Sequence, residues 1–381
     1  NAKLVSLAAL SLTNNVNVTG RAEFGTGSGG IDLLGVVSGP GSLYKNGANQ
    51  LVLRSANSFS GGVTNNAGTL SVKNANSLGT GPLVVQGSGT MYWDGVFDAA
   101  NGGRGITNDI VLGSVRNFNT LGTGNRVLLS GTISGPGGIS RNCFGGSTLI
   151  LTGDNTFESG MFLQIGRLFL GHANALGTGP ITNRNSDADD YIGVVADLSG
   201  GAGVRNAFVL MSNLVVNVTN DLQLSGDISK SSVAAISPML LKRGPSLLIL
   251  SGSNSYDGGT KVEQGTLRLS ANGALPPGGP VSLEGGTLEM ASSVNAPSAL
   301  NVSTNSTLVL GAGQLSFTAQ TADAWAGRLA LAGELGRFTL RFQPLLTAAQ
   351  LAKIDYAGGG FHQSSDGYLR AFPRGTIISL Q

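Results

Sequence analysis

Apolar and polar residues alternate along this chain in runs of three to five. Leu4-Val5-Ser6-Leu7 and Leu10-Ser11-Leu12 open it, and Leu51-Val52-Leu53, Leu83-Val84-Val85, Leu149-Ile150-Leu151 and Leu248-Ile249-Leu250 continue it. A period of two sends one side chain inward and the next outward, so these runs predict short strands. Between them stand Gly, Asn, Ser and Thr, which predict tight turns. Only one stretch predicts a helix. Thr347 is placed as N-cap with Gln350 three residues on, Leu346 and Leu351 flank them, and the helix is expected to run to about Ile354.

The strand pattern is itself repeated. Residues 57–82 read NSFSGGVTNNAGTLSVKNANSLGTGP and return at 155–180 as NTFESGMFLQIGRLFLGHANALGTGP. They return again from Asn254 as NSYDGGTKVEQGTLRLSANGALPPGGP. The offset is 98 (155 − 57), then 99 (254 − 155). Stacked repeats share one continuous core, so the array overrides a domain count taken from length.

A strand of three to five residues cannot bury enough apolar surface alone. Stacked in register on similar strands ~4.8 Å above and below, it can. Each repeat holds several such runs, which predicts coils of roughly 20–25 residues in a single right-handed parallel β-helix. The expected organisation is a starting coil at 1–37, units at 38–133, 134–230 and 231–313, and a C-terminal cap at 314–381. Leu70, Leu168 and Leu267 are expected to face the core. Asn57, Asn155 and Asn254 are expected at corners, stacked as an amide ladder. Phe59, Phe157 and Tyr256 are expected on equivalent corners.

Composition sharpens this picture. Gly is 60 of 381 residues and charged residues are only 12%, which suits turn-rich strands rather than helices or a disordered chain. The net charge is +2 and no Lys/Arg run stands out, so nucleic acid is not an expected partner. No stretch of 18 apolar residues exists, so no membrane-inserted helix is expected. The single cysteine, Cys143, excludes an intrachain disulfide and a Cys-based zinc site. A chain that starts at Asn1 rather than Met reads as a processed or trimmed product.

Candidate chemistry is sparse. Gly25 to Gly30 matches GxGxxG, but at this glycine content about 1.5 chance matches are expected and no strand-to-helix context surrounds it. Asp187, Asp189 and Asp190 form the densest carboxylate cluster and are the weak candidates for Ca²⁺, although neither an EF-hand nor a nonapeptide calcium pattern is present. Asp94 with Asp98 beside Trp93, and Asp154 with Glu158, are the carboxylate pairs a glycan-cleaving β-helix would need. His172 and His362 have no companion ligands nearby in sequence. The sequons at Asn17, Asn217, Asn301 and Asn305 read as turn residues. No cofactor and no catalytic residues are expected.

The repeated text, carried by Asn57, Phe59, Gly61, Gly62, Gly68, Thr69, Leu70, Asn76, Leu78, Gly79, Thr80 and Gly81, resembles the autotransporter-associated β-strand repeat. Trp325, Leu346 to Leu351 and Asp366 to Leu369 are similar to the ending of secreted proteins with this repeat. The resemblance implies a noncatalytic β-helical passenger at the bacterial surface or beyond it, serving as stalk, scaffold or fibre subunit. The alternative is a glycan-binding or glycan-cleaving β-helix, adhesin-like or polysaccharide-lyase-like, with cell-surface glycans as partners. A complete autotransporter ends in a membrane β-barrel, which this chain is too short after the repeats to hold. Either the barrel was removed or export takes another route. Strand-forming sequence outside the repeats, at Leu4 and Leu7 and at Ile377, Ile378 and Leu380, predicts end-to-end self-association.

Overall fold

The computed structural model describes residues 2–27, 29–95, 97, 105–120, 124–142, 146–184, 190–201, 203–294, 296–311, 313–337 and 339–372. They form two compact units, Asn1–Ala196 and Asp197–Gln381, and each is a parallel β-solenoid.

In the first unit the inward residues line up from coil to coil. Leu43 lies beside Val63, Val63 beside Leu83, Leu83 beside Ile110 and Ile110 beside Ile133, always in parallel register. The steps are 20 residues (63 − 43) to 27 (110 − 83), which sets the coil length. In the second unit Leu222, Leu248, Leu267, Leu288, Leu308 and Leu331 form one such column. Each column is a stack of identical or similar side chains at the strand spacing, so the core is a row of leucine layers.

Two strands are longer than the pattern predicted. Val63–Val72 and Leu83–Trp93 run past a corner. The first half of Val63–Val72 pairs with Ser42–Asn46 and the second with Gln50–Leu53, so one strand serves two faces. A register shift between Val85 and Ser88 marks the bend in the longer strand.

Leu70, Leu168 and Leu267 all point into the core and are at most 1% exposed. Leu168 sits between Leu149 and Ile192 in its column. Leu168→Ala is expected to cost about 2–5 kcal/mol, read from urea denaturation. A loss below about 1 kcal/mol at all three leucines would contradict their place in the layers.

The expected capping box is present. Thr347 accepts from the Gln350 N–H, and the Gln350 side chain accepts from the Thr347 N–H. The helix itself is shorter than expected, Ala348–Leu351, and among the described residues it is the only α-helix. Ile354 does not extend it, because Ile354–Tyr356 pairs in parallel with Leu329–Leu331 as one more rung. Beyond it, Phe361–Gln363 and Leu369–Ala371 pair antiparallel. No helix follows Gly25 to Gly30, where Ile31–Leu33 is a strand. Three of the four sequon asparagines are strand residues rather than turn residues: Asn17, Asn217 and Asn301.

Candidate functional site

What the repeat encodes is a joint between coils, and it is built three times. Each joint starts with the corner asparagine. The expected amide ladder between Asn57, Asn155 and Asn254 does not form, because several coils separate them. Each instead spans its own two neighbouring coils. Asn57 Oδ1 accepts from the Val37 N–H at 2.8 Å, and its Nδ2 donates to the Ser77 carbonyl at 2.7 Å. Asn155 does the same with Ile133 (2.8 Å) and Ala175 (2.7 Å), and Asn254 with Ile228 (2.9 Å) and Ala274 (2.7 Å). All three are buried. An amide suits this position because it carries a donor and an acceptor on one planar group. A true amide ladder exists elsewhere, on successive coils: Gln86 donates to Asn66 and Asn66 to Asn46, each at 3.3 Å.

Two residues past the asparagine, the aromatic ring fills the interior. Phe59 and Phe157 are fully buried and Tyr256 nearly so. The third copy changes two positions together. Where the others carry Phe59 with Val63 and Phe157 with Met161, it carries Tyr256 with Thr260, and the two hydroxyls are 2.7 Å apart. The added hydroxyl therefore brings its own partner. Burial pushes the Tyr256 phenol well above its usual range.

Gly62, Gly160 and Gly259 close the turn with φ of +80°, +72° and +92°. They pass against the carbonyls of Pro82, Pro180 and Pro280 on the next coil, which accept from Val63, Met161 and Thr260.

The joint also contains residues the sequence pattern did not point to. Lys45, Arg141 and Lys242 all face inward and are at most 1% exposed. Each follows an inward apolar residue by two: Leu43, Ile139 and Leu240. Lys45 Nζ donates to the carbonyls of Gly47 (2.7 Å) and Ala67 (2.6 Å). Lys242 Nζ donates to Arg243 (3.0 Å), Gly244 (2.7 Å) and Gln264 (2.9 Å). Arg141 Nη2 donates to the Ser147 carbonyl at 3.0 Å. Burial pulls both lysines down to about 8. The available signal was a cation recurring two residues after an inward Leu or Ile.

Outside, the second unit carries charge in columns. Glu263 meets Arg243, and Lys261 reaches both Glu263 and Glu284. Arg268 pairs with Glu289. Exposed pairs of this kind contribute ~0–1 kcal/mol each, so their effect is to keep the outer face polar.

The other sequence candidates scatter. Asp187 and Asp189 lie outside the described residues, as do Asp98 and Cys143. Asp190 is 1% exposed. Among the described residues no three His, Cys, Asp or Glu side chains gather as a metal site. Asp94 is tied to Lys73, and Trp93 is buried edge-on against Phe118 rather than lining a groove. Asp154 accepts from Asn174 and lies 3.7 Å from His172 Nδ1. His362 stacks on Phe372. Leu4 is half-buried in the first strand, Ala2–Ser6, and Leu7 is 80% exposed. Ile377, Ile378 and Leu380 lie outside the described residues. A groove of about 600 Å³ runs beside Ile354–Tyr356, lined among others by Leu331, Phe361 and Phe372.

Residues 43–72, 144–170 and 240–269 match the Passenger-associated-transport-repeat family. The first and third matches contain Lys45 and Lys242, and each of the three contains one of the leucines Leu70, Leu168 and Leu267. The chain is also 34% identical, over 141 residues, to a protein named adhesin BmaC autotransporter from Brucella suis biovar 1 (strain 1330). That alignment covers 35% of this chain and 4% of the adhesin. No solved structure matches.

Proposed function

We infer that this chain, a parallel β-solenoid with three matches to the passenger-associated-transport-repeat family, is a noncatalytic passenger scaffold displayed at the cell surface or secreted. The observation that carries the reading is the threefold joint. Its most constrained side chains are spent on tying coil to coil, and its outward positions carry amide and charge columns. Such a molecule supplies length and a surface. The match to an adhesin supports exposure to the cell exterior.

The same reading extends to assembly. The strand Ala2–Ser6 pairs on one side with Arg21–Thr26, and its Val5 and the Leu7 that follows it are exposed. Strand edges of this kind recruit partner strands. Head-to-tail docking of copies, with Ile377, Ile378 and Leu380 of one on the Leu4 and Leu7 edge of the next, would build fibres because the contact does not close on itself.

Antibody labelling of intact cells tests the display: label on the outside is expected, and label seen only after lysis overturns it. Light scattering of the purified chain at rising concentration tests assembly. Growth of the particle is expected, with its loss on deletion of residues 374–381. A monomer at all concentrations ends the assembly reading and leaves the display reading standing.

A further inference from the structure

The leucine column of the second unit runs out at an open strand edge. Leu288, Leu308, Leu331 and Tyr356 follow one another in register at steps of 20, 23 and 25 residues (308 − 288, 331 − 308 and 356 − 331). Beside them Ser306, Leu329 and Ile354 form a second inward column, at steps of 23 and 25 (329 − 306 and 354 − 329). Ile354–Tyr356 is the last strand of its sheet among the described residues, and it pairs on one side only, with Leu329–Ala332. Ile354 is buried, while Tyr356, Phe361 and Phe372 around it are half-buried, and all four line the groove at this end of the sheet. An edge of this kind, with apolar side chains beside it, is a seat for one more strand.

We propose that the occupant is this chain's own segment 376–380, lying parallel on Ile354–Tyr356 as one further rung, with Ile378 beside Ile354, Ser379 beside Asp355 and Leu380 beside Tyr356.

Three independent observations select this segment. The first is the coil period. Ile378 and Leu380 each stand 24 residues after their partners (378 − 354 and 380 − 356), between the steps of 20 to 25 that carry the two columns this far. The second is the side-chain pattern. Leu329-Ala330-Leu331 and Ile354-Asp355-Tyr356 both place an exposed residue between two inward ones, and Ile378-Ser379-Leu380 repeats that order. Ile377 and Ile378 are β-branched, which suits a pleated strand. The third is reach. The Phe372 N–H donates to the Gly360 carbonyl at 2.9 Å, and both residues line the groove, so the chain leaves the described structure already beside the edge. Six residues separate Phe372 from Ile378 (378 − 372), which span up to about 20 Å when extended, against a strand spacing of ~4.8 Å. Gly375 lies within this connection and permits a sharp turn.

The seat does not depend on assembly. A strand has two edges, so a segment docked on Ile354–Tyr356 still turns its outer edge to a second copy.

Disulfide trapping in the whole chain tests the register, with Cys143→Ser removing the natural thiol. Asp355 and Ser379 are the outward pair, so Asp355→Cys with Ser379→Cys leaves the apolar layer intact. Parallel neighbours in register lie ~4.8 Å apart, within the roughly 4.4–6.8 Å that a disulfide spans. Asp355→Cys with Ile377→Cys is the control, because a slip of two residues sets the pair about 8 Å apart, beyond that span. Under mild oxidation of the dilute chain, the in-register pair is expected to close within one chain at least about tenfold faster than the control. Equal rates, or no closure, overturn the proposal. A link found only between two chains also overturns it, since the edge is then filled by a second copy's segment. Should the cysteine variants fail to fold, hydrogen exchange at the Ser379 amide of the dilute natural chain decides. Slow exchange supports the docked rung, and exchange at the rate of an unfolded chain overturns it.

Discussion

Gly160→Ala should cost about 3–8 kcal/mol. Gly160 sits at φ +72°, where a side chain strains the backbone by ~1–2 kcal/mol. Steric contact costs more than that strain. A Cβ on Gly160 would lie 1.9 Å from the Pro180 carbonyl oxygen, which is backbone and cannot rotate away. Relief requires the two coils to separate at this corner. That stretches the bond from the Met161 N–H to the same oxygen, now 3.0 Å, and leaves both groups buried and unpaired at ~1–3 kcal/mol apiece. Gly20→Ala is the control. Nothing lies within 4 Å of its would-be Cβ, and it should change stability by less than about 0.5 kcal/mol. Urea midpoints of the two variants measure the contrast. Equal midpoints would mean that the Gly160 corner yields freely and that glycine there is incidental.

Gly62, Gly160 and Gly259 were legible in the sequence because the same text occurs three times, and so were Leu70, Leu168 and Leu267. Identity at a fixed offset is a strong signal even without knowledge of the coil path. The coil path was the harder part. The text repeats every 98 or 99 residues, but strands stack every 20 to 27. The ladder expected between Asn57, Asn155 and Asn254 confused these two periods. The real amide column, Asn46, Asn66 and Gln86, follows the shorter one. The buried cations escaped for another reason. Lysine or arginine at a strand position reads as outward by default, and their offsets, 96 and 101, differ from those of the text around them (141 − 45 and 242 − 141). The helix end at Leu351 was a contest between local propensity and the ladder. Ile354 joined the rung beside Leu329 because an open strand edge offers backbone partners that a longer helix would forgo.

The corner asparagines set the other large expectation. Asn155→Ala should destabilise the chain by about 3–7 kcal/mol. Its side chain satisfies the Ile133 N–H on one coil and the Ala175 carbonyl on the next, and the site is 1% exposed, so water cannot replace either bond. Two orphaned backbone groups at ~1–3 kcal/mol each, with a further ~1 kcal/mol for the emptied volume, give that range. Asn155→Asp separates the two halves of the joint. It keeps an acceptor for Ile133 but sets a carboxylate oxygen against the Ala175 carbonyl, so it too should be costly, and more so at neutral pH than in acid, where a protonated carboxyl can donate. Hydrogen exchange at the Ile133 amide reads the first half directly: fast exchange is expected in the alanine variant and slow exchange in the natural chain. If the alanine variant loses less than about 1 kcal/mol, or if Ile133 stays protected, the amide is not what binds these coils. The tie between successive turns would then rest on the parallel strand pairing, the leucine layers and the buried cations.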